Sequence, residues 1–177
     1  MTAPTGRARA AVGTVAFFCL APGLVAGLGP WLVSRWRIEQ PFRFYWPARL
    51  AGALLILAAV AFLVNAFVRF VVEGIGTPAP VAPTDRLVVG GVYRHVRNPM
   101  YLAVVAAIVG QALLLGQARL LAYAAVVAAI QAAFVRLHEE PELHHRYGGD
   151  YDAYRHAVPA WRPRWRAWTG PGPARST

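Results

Sequence analysis

The chain is poor in the residues on which several common functional classes depend. It has a single cysteine, Cys19, so it can form neither an internal disulfide nor a cysteine-rich metal site. Its only serines are Ser34 and Ser176, which argues against a serine hydrolase. Lysine is absent, and the 18 basic residues, all arginine, outnumber 8 acidic ones. These absences disfavour thiol redox chemistry and serine-based catalysis.

Long hydrophobic runs make up much of the chain. Of its 177 residues 57% are hydrophobic, and the mean hydropathy is +0.40, which is typical of an integral membrane protein forming one domain. The arginines flank the apolar runs, as in the loops that orient membrane proteins. Nucleic acid or anionic lipid is the alternative explanation of the basic excess, but no basic stripe follows a soluble helix. We therefore expect membrane lipids, and no nucleic acid, as partners.

Four apolar segments are predicted to cross the membrane as α-helices, since about 20 helical residues span a hydrocarbon core of roughly 30 Å. They are residues 10–33, 48–70, 100–116 and 120–137. The first should kink near Pro22, and it ends among Trp31 and Trp36, which are typical of interfacial anchors. A cleaved signal peptide is the alternative for this segment. Only Gln117-Ala118-Arg119 joins the last two segments, which predicts a tight antiparallel hairpin.

The arginines also predict an orientation. With four spans, the segments 71–99 and 138–168 share one side of the membrane. The arginines on the opposite side are Arg35, Arg37, Arg43, Arg49 and Arg119, and the other 13 lie on the side that the N-terminus, the 71–98 loop and the C-terminal region share. Because cytoplasmic loops carry the excess of arginine, both segments are predicted to be cytoplasmic, most simply at a bacterial inner membrane.

Two polar clusters border the hairpin and are predicted to meet on that side. The first is Gly91-Val92-Tyr93-Arg94-His95-Val96-Arg97-Asn98-Pro99-Met100-Tyr101, and the second is Leu137-His138-Glu139-Glu140-Pro141-Glu142-Leu143. Adjacent glutamates at the end of a membrane helix carry a desolvation cost that a purely structural helix end rarely accepts. The alternative is a hydrated helix end whose carboxylates pair with Arg136 or with lipid. The residues alone leave both explanations open. A site here would offer carboxylates for a cation, and arginines and a histidine for an anion.

No metal site is predicted. The candidate ligands are His95, His138, Glu139, His144 and His145, but they complete no metal-binding spacing. Towards the C-terminus, the spacing of Tyr147, Tyr151 and Tyr154 predicts one packed face of a short helix. The tryptophans that follow alternate with arginines, and this pattern predicts an amphipathic end lying on lipid headgroups.

The two clusters, the hairpin between them, and the later Tyr147-Gly148, Tyr151, Tyr154 and Val158-Pro159 resemble a family of integral-membrane methyltransferases. That family includes isoprenylcysteine carboxyl methyltransferase and phosphatidylethanolamine N-methyltransferase. The resemblance implies an all-α membrane fold of four main spans, with the last two as a tight hairpin and a C-terminal helical segment on the cytoplasmic face. It also implies a methyltransferase that uses S-adenosylmethionine and methylates a lipid-like or membrane-dissolved small acceptor.

The resemblance extends to individual positions. Arg97, Pro99 and Tyr101 match the family's Arg-His-Pro-x-Tyr run, and Asn98 replaces the histidine, as in the Asn-Pro-Met-Tyr variant of the phospholipid branch. Glu139 and Glu140 match the family's paired glutamates. The implied catalytic residues are Arg97, Asn98 and Glu139. The implied cofactor-binding residues are Tyr93, His95, Val96, Asn98, Pro99, Tyr101, Leu102, Glu139, Glu140, Tyr151 and Tyr154.

The chemistry of the cofactor suits these side chains. A carboxylate can pair with the amino group of S-adenosylmethionine or favour its sulfonium, while His95 or an arginine can meet its carboxylate. Ala157 departs from the isoprenylcysteine branch, which has arginine before Val-Pro, and Arg155 is the candidate replacement cation. Two rival interpretations fit the same pattern. One is a non-catalytic membrane scaffold or sensor that retains the pocket, and the other is an electron-transfer or nitrite-linked accessory protein.

Overall fold

The computed structural model describes residues 20–74 and 87–170, without the side chains of residues 69–74. Every regular element in these two ranges is helical, which confirms the all-α class that the sequence predicted. Cys19, the first part of the predicted segment 10–33 and residues 75–86 of the predicted loop lie outside this description. The helices are α1 (Leu20–Ser34), α2 (Trp46–Gly74), α3 (Pro99–Leu115), α4 (Ala118–Tyr147) and α5 (Gly149–Ala157), and a short 3-10 helix covers Gly91–Arg94.

Two of the described helices are long and apolar enough to cross a membrane. These are Trp46–Val68 within α2 and the whole of Ala118–Tyr147, whereas α1 and α3 are shorter apolar helices. The two long helices bury only a small part of their surface inside the protein. Exposed leucine and valine side chains, among them Leu50, Leu54 and Leu57, run along the outside of α2. Such an apolar outer surface suits contact with lipid.

Helix α2 packs closely along α3 because each helix has a glycine at the crossing. A Cβ atom built on Gly52 would lie 2.6 Å from the carbonyl oxygen of Gly110, and one built on Gly110 would lie 2.9 Å from that of Gly52. A side chain at either position would therefore force the backbones apart. Small residues at such crossings are typical of helix pairs in membranes, where close backbone contact replaces the hydrophobic driving force.

The hairpin between α3 and α4 turns on Gly116 and Gln117. Gly116 has φ +72°, a left-handed conformation that glycine adopts at little cost, and it ends α3. Gln117 is buried, and its Nε2 donates hydrogen bonds to the carbonyl oxygens of Ser34 and Arg37. The predicted tight connection is present, but Ala118 and Arg119 already belong to α4. The turn also binds the chain that leaves α1.

Two helices extend further than the apolar runs predicted. Helix α2 ends at Gly74 instead of Phe70, and α4 continues past Leu137 to Tyr147. In α4 a π-helical turn, Val135–Glu139, stands directly before Pro141, and the N–H of Glu140 donates to the carbonyl of Val135. Proline lacks an N–H and crowds the carbonyl four residues before it, and a wider turn relieves this conflict. The helix therefore continues through Pro141 to Tyr147.

Gly148 separates α4 from α5. Its φ of +50° breaks the helix, so Tyr147 does not share a helix with Tyr151 and Tyr154 as the sequence predicted. All three tyrosines nevertheless pack in one cluster, together with Val158. This cluster holds α5 against the residues that precede α3, and it lies beside the two polar clusters.

Candidate active site where α3 begins and the π turn of α4 ends

The two polar clusters meet between the first turn of α3 and the π turn of α4. The phenol oxygen of Tyr101 donates a hydrogen bond of 2.7 Å to Oε1 of Glu139. Nη1 of Arg97 lies 2.8 Å from Oε1 of Glu140 and forms a salt bridge with it. Both carboxylates on α4 thus reach across to the start of α3, because the hairpin returns the chain to the end at which α3 began.

Arg97 connects four parts of the chain at this point. Besides Glu140, its Nη1 donates to the phenol oxygen of Tyr151 at 3.0 Å, and its Nε donates to the carbonyl of Val158 at 3.0 Å. Its backbone N–H donates to the carbonyl of Pro159 at 2.9 Å. Only 11% of the Arg97 side chain is exposed. The guanidinium is therefore held by α4, α5 and the segment that follows α5.

The adjacent glutamates differ in the charges around them. Glu140, 15% exposed, has Arg97 on one oxygen and Nη2 of Arg155 at 3.4 Å from the other. Glu139 is half-buried and accepts a hydrogen bond from a neutral phenol. Among the described residues no cationic side chain forms a salt bridge with Glu139. Since a partly buried carboxylate without a countercharge is costly, Glu139 is the carboxylate that a cationic ligand would stabilise.

Asn98 contributes a buried side-chain hydrogen-bond donor to this end of the hairpin. It caps the N-terminus of α3, it is buried, and within the described residues its Nδ2 forms no hydrogen bond. An unsatisfied buried donor costs about 1–3 kcal/mol, and such atoms are often satisfied by a ligand. Asn98 stands one helical turn before Tyr101, so this donor and the Glu139 carboxylate belong to the same end of the hairpin.

Several of the predicted cofactor-binding side chains are enclosed by protein. These are Val96, Pro99, Tyr151 and Tyr154, whereas Leu102 in the first turn of α3 is half-buried. The phenol of Tyr154 donates to the carbonyl of Tyr93 at 2.7 Å, and the Tyr93 ring packs against Ala66 and Val88. Burial raises the pKa of the Tyr154 phenol, and it also raises that of Tyr151, which the neighbouring Arg97 partly opposes. The enclosed residues therefore form the packed protein interior next to the polar side chains.

Residues 158–170, which we call the C-terminal strap, fold back over the loop before α3. The N–H of Arg164 donates to the carbonyl of His95 at 3.0 Å, and that of Trp168 donates to the carbonyl of Arg94 at 3.0 Å. That this stretch lies on the headgroups stays a prediction. The rings of Trp161 and Trp168 contact Tyr101 and Tyr154, and Trp165 is the tryptophan of the strap that is fully exposed, at 99%.

The strap also determines which ring nitrogen of a neutral His95 carries the proton. Nδ1 of His95 lies 2.8 Å from the carbonyl oxygen of Arg164. A carbonyl oxygen only accepts, so Nδ1 donates and Nε2 of the neutral ring bears no proton. A neutral His95 then has no second donor to offer. The predicted contact between His95 and a ligand carboxylate would therefore require the protonated imidazolium.

A cleft of about 670 Å³ opens on the far side of Glu140. Its lining residues are Ala132, Val135, Arg136, Glu140, Pro141, His144, Arg155 and Trp161. Of these, Glu140 alone was among the predicted catalytic and cofactor-binding residues, while Arg155 was a candidate replacement cation and His144 a candidate metal ligand. The position of Arg136 four residues before Glu140, on the same helix face, is a signal that could have identified it. No local pattern points to Trp161, because the strap brings it to the cleft from a distant part of the chain.

The described residues hold no group of three or more metal-binding side chains. His144, one of the candidates, lies 3.0 Å from a carboxylate oxygen of Asp152, and the ring of His138 contacts Phe134. His144 and His138 thus contact other side chains of the protein and not each other. The polar cluster at the end of the hairpin is built from glutamate, arginine, tyrosine and asparagine side chains.

A helical protein with apolar outer faces and a partly buried polar cluster at one end of a hairpin belongs to the class of helical membrane proteins. Residues 47–150 match the phospholipid methyltransferase family, and the chain belongs to this family of membrane methyltransferases. No curated protein and no solved structure shows significant similarity to the chain. The match includes Arg97, Asn98, Glu139 and Glu140 but ends before Tyr151, so α5 and the strap lie largely beyond it.

Proposed function

We propose that the chain is an S-adenosylmethionine-dependent methyltransferase that modifies a lipid-like or membrane-dissolved acceptor. The observation that carries the proposal is Glu139, a half-buried carboxylate with no cationic side chain bonded to it within the described residues. A ligand that brings a positive charge would remove the cost of this arrangement. S-adenosylmethionine carries both a sulfonium and an amino group, and the family to which the chain belongs supports this cofactor.

The proposed topology has four spans, with α1 and α3 crossing beside α2 and α4. Contacts between α1 and the hairpin support it. Nε2 of Gln111 donates to the carbonyl of Ala26 at 2.7 Å, and the phenol of Tyr123 donates to that of Val25 at 2.9 Å. These bonds satisfy polar groups at depth, as a lipid environment requires. We assign the polar site to the cytoplasmic side of a bacterial inner membrane, and the arginine distribution supports this assignment.

The residues that would hold the cofactor are those with unsatisfied charge or hydrogen-bonding capacity. We assign Glu139 to the positive charge of the cofactor, with Tyr101 orienting the carboxylate and the Nδ2 of Asn98 donating to a polar acceptor. Leu102, half-buried in the first turn of α3, provides an apolar contact. The enclosed residues Val96, Pro99, Tyr151 and Tyr154 shape the site from behind, and the backbone around Tyr93 and His95 anchors the strap.

Arg97 and Glu140 have a different task in this proposal. The guanidinium of Arg97 is bonded to Glu140, to Tyr151 and to Val158, so little of it remains for a ligand. Arg97, which the family resemblance implied as catalytic, is here a positioning residue that fastens α5 and the strap to the hairpin. Glu140 accepts a hydrogen bond from Arg97 and lies near Arg155. The Arg97–Glu140 salt bridge thus joins α4 to the residue that fastens α5 and the strap.

Methyl transfer mainly requires that the two reactants are correctly positioned and that water is excluded from the site. Bound S-adenosylmethionine would supply an electrophilic methyl group for a heteroatom of the acceptor, and the neutral thioether that remains would need no proton. The strap would help to exclude water, because the ring of Trp161 lies against that of Tyr101 with ring centroids 6.4 Å apart. Excluding water strengthens the attraction between Glu139 and a cation, and a fixed geometry lowers the entropic part of the barrier.

The experiment that tests the function is a titration of the protein, purified in a nonionic detergent, with S-adenosylmethionine and with its demethylated product. The proposal predicts that both bind, and that methyl-labelled cofactor transfers label to a membrane lipid extract. A well-folded protein that binds neither compound would instead be a scaffold or an accessory protein. Binding without transfer would indicate a sensor that retains the pocket.

A further inference from the structure

The C-terminal strap has an inner side that packs on the protein and an outer side that does not. The rings of Trp161 and Trp168 pack against tyrosines, whereas Trp165 is 99% exposed. Two exposed arginines, Arg162 and Arg166, flank Trp165 in the sequence. The outer side therefore presents one large aromatic ring together with positive charge.

Arg94 adds a further charge to this side. It is exposed, and its carbonyl accepts a hydrogen bond of 3.0 Å from the N–H of Trp168 in the strap. Among the described residues, the guanidinium groups of Arg94, Arg162 and Arg166 form neither a hydrogen bond nor a salt bridge. The strap itself contains no acidic residue. We call the side chains of Trp165, Arg94, Arg162 and Arg166 the outer face of the strap.

Hydrogen bonds fix the backbone on both sides of Trp165. The N–H of Arg164 donates to the carbonyl of His95 at 3.0 Å, and Nδ1 of His95 donates to the carbonyl of Arg164 at 2.8 Å. Three residues after Trp165, the N–H of Trp168 is held by Arg94. The exposed ring is therefore carried outward by an anchored part of the chain.

In the proposed topology, the outer face lies at the depth of the lipid headgroups. Helix α3 has 17 residues, or about 25 Å at 1.5 Å per residue, and a hydrocarbon core is roughly 30 Å thick. The residues directly before Pro99 therefore stand at the edge of the core, where the headgroup layer begins. His95, which binds the strap, is one of these residues. Tryptophan is enriched at this depth in membrane proteins.

We propose that the outer face of the strap binds an anionic membrane surface, with the ring of Trp165 among the headgroups and the three arginines beside negatively charged lipids. Cytoplasmic leaflets carry a negative surface potential that attracts basic segments next to the membrane. An aromatic ring bordered by cations matches both the partly apolar nature and the charge of such a surface. The inference goes beyond the proposed methyltransferase function and needs only the proposed topology.

Nucleic acid is the other anionic macromolecule that a basic and aromatic surface can bind. Proteins that bind single strands use several rings on which successive bases stack. Trp165 is the one tryptophan of the strap whose ring is fully exposed, because Trp161 and Trp168 pack on tyrosines. The outer face thus lacks a second exposed tryptophan ring in the strap, and a lipid surface fits it better.

Contact with the membrane would stabilise the strap in its position over the polar site. Arg97 bonds to the carbonyl of Val158 where the strap begins, and the ring of Trp161 lies against Tyr101. Opening the strap would separate its arginines from Arg94, which belongs to the loop before α3. The closed form therefore offers the surface more cations at one place, and a partner that prefers one form shifts the population towards it.

The test measures hydrogen–deuterium exchange of the strap in the full chain, reconstituted in nanodiscs. One set of discs contains phosphatidylcholine, and the other contains phosphatidylcholine and phosphatidylglycerol in equal amounts. The N–H groups of Arg164 and Trp168 report on closure, because both are hydrogen-bonded to the loop before α3. We expect the anionic discs to slow their exchange about tenfold or more, and high salt to remove most of this difference.

Substitutions assign the effect to the outer face. Each of Arg94→Gln, Arg162→Gln and Arg166→Gln should lose about two- to fivefold of the slowing, and the triple variant should lose nearly all of it. Arg146→Gln is the matched control, since it removes one positive charge from α4 but Arg146 pairs with Glu142 and lies outside the strap. It should keep the full slowing. In phosphatidylcholine discs all these variants should exchange as the wild type does.

Four results would overturn the inference. Equal exchange in the two kinds of disc is the first, and full slowing in the triple variant is the second. The third is a loss in Arg146→Gln as large as that in Arg162→Gln, which would assign the effect to net charge. The fourth is that polyadenylate, added to phosphatidylcholine discs, slows exchange as much as phosphatidylglycerol does, which would identify nucleic acid as the partner. No sample contains S-adenosylmethionine, so the outcome is independent of the cofactor titration that tests the proposed function.

Discussion

Glu139 accepts a 2.7 Å hydrogen bond from the uncharged phenol of Tyr101, although Glu140, the next residue, lies between two arginines. The π turn that ends at Glu139 directs both carboxylates towards the start of α3. Two carboxylates of the same chemistry therefore have different environments. Glu140 is paired with Arg97, which also bonds to the strap, and Glu139 has no salt bridge among the described residues, as the proposed contact with a cationic cofactor requires.

Replacing Arg97 by glutamine should destabilise the protein and loosen the strap. The change breaks a largely buried salt bridge and removes the hydrogen bonds to Tyr151 and Val158, and breaking such a pair costs about 3–5 kcal/mol. Thermal unfolding and limited proteolysis of the strap measure the effect. In Arg146→Gln, which loses an exposed pair with Glu142, the cost should stay below about 1 kcal/mol. Equal stability and equal protease resistance in the two variants would show that Arg97 does not fasten the strap.

Replacing Tyr101 by phenylalanine should weaken cofactor binding without unfolding the protein. The carboxylate of Glu139 loses the donor that orients it, and a hydrogen bond of this kind contributes about 1 kcal/mol, or roughly fivefold in affinity. Tyr123→Phe is the control, because that phenol donates to Val25 in α1, away from the site. Titration with S-adenosylmethionine should separate the two variants. Similar affinities in both would show that Tyr101 does not act through Glu139.

Truncation of Trp161 to alanine should lower the rate of methyl transfer more than the affinity for the cofactor. Trp161 lies against Tyr101 and lines the cleft, so its loss admits water to the site. Trp165→Ala is matched to it in size and in its position on the strap, but Trp165 is 99% exposed and should have little effect on the rate. Single-turnover rates with labelled cofactor compare the two. A larger loss of rate in Trp165→Ala would contradict the account.

The buried phenol of Tyr154 should make the protein sensitive to alkali. Burial raises the pKa of Tyr154, so the folded state keeps its proton where the unfolded chain loses it near pH 10. The stability from this group is complete below pH 10 and is lost as pH rises above it. Tyr154→Phe loses the hydrogen bond to Tyr93 and should be less stable at pH 8, by about 1 kcal/mol. Above pH 10 its stability should fall less steeply with pH than that of the wild type, by up to about 1.4 kcal/mol per pH unit. Parallel slopes would mean that Tyr154 ionises normally in the folded protein.

The sequence was informative where structure follows from local pattern. Lengths of apolar runs predicted the helical class, and the short connection at Gln117 predicted the hairpin. The end of α4 was not predictable in this way, because Pro141 and its charged neighbours are typical of a helix end. A π turn allows the helix to continue through Pro141, and the lengths of apolar runs do not distinguish that outcome from a helix that ends there.

The sequence predicted which residues form the candidate site better than it predicted what each of them does. The family pattern brought together Arg97, Tyr101, Glu139 and Glu140, and these residues are in contact in the structure. The difference between the two glutamates depends on Arg155, which comes from α5, and on a strap held by bonds such as that of Arg164 to His95. Such contacts join residues far apart in sequence, and a single sequence holds no periodic signal for them.

The central claim is that Glu139 meets the positive charge of the cofactor, and the most direct measurement is the affinity of Glu139→Gln for S-adenosylmethionine, compared with Glu140→Gln and Glu142→Gln. Glutamine removes the charge at nearly constant volume. We predict that Glu139→Gln folds normally and loses about 2–3 kcal/mol, or about 30- to 150-fold in affinity. Glu140→Gln should lose stability as well as affinity, because Arg97 loses its partner. Glu142→Gln, exposed and paired with Arg146, should bind within about 1 kcal/mol of the wild type. If all three variants bind the cofactor equally well, Glu139 is part of a hydrated helix end and the account is wrong.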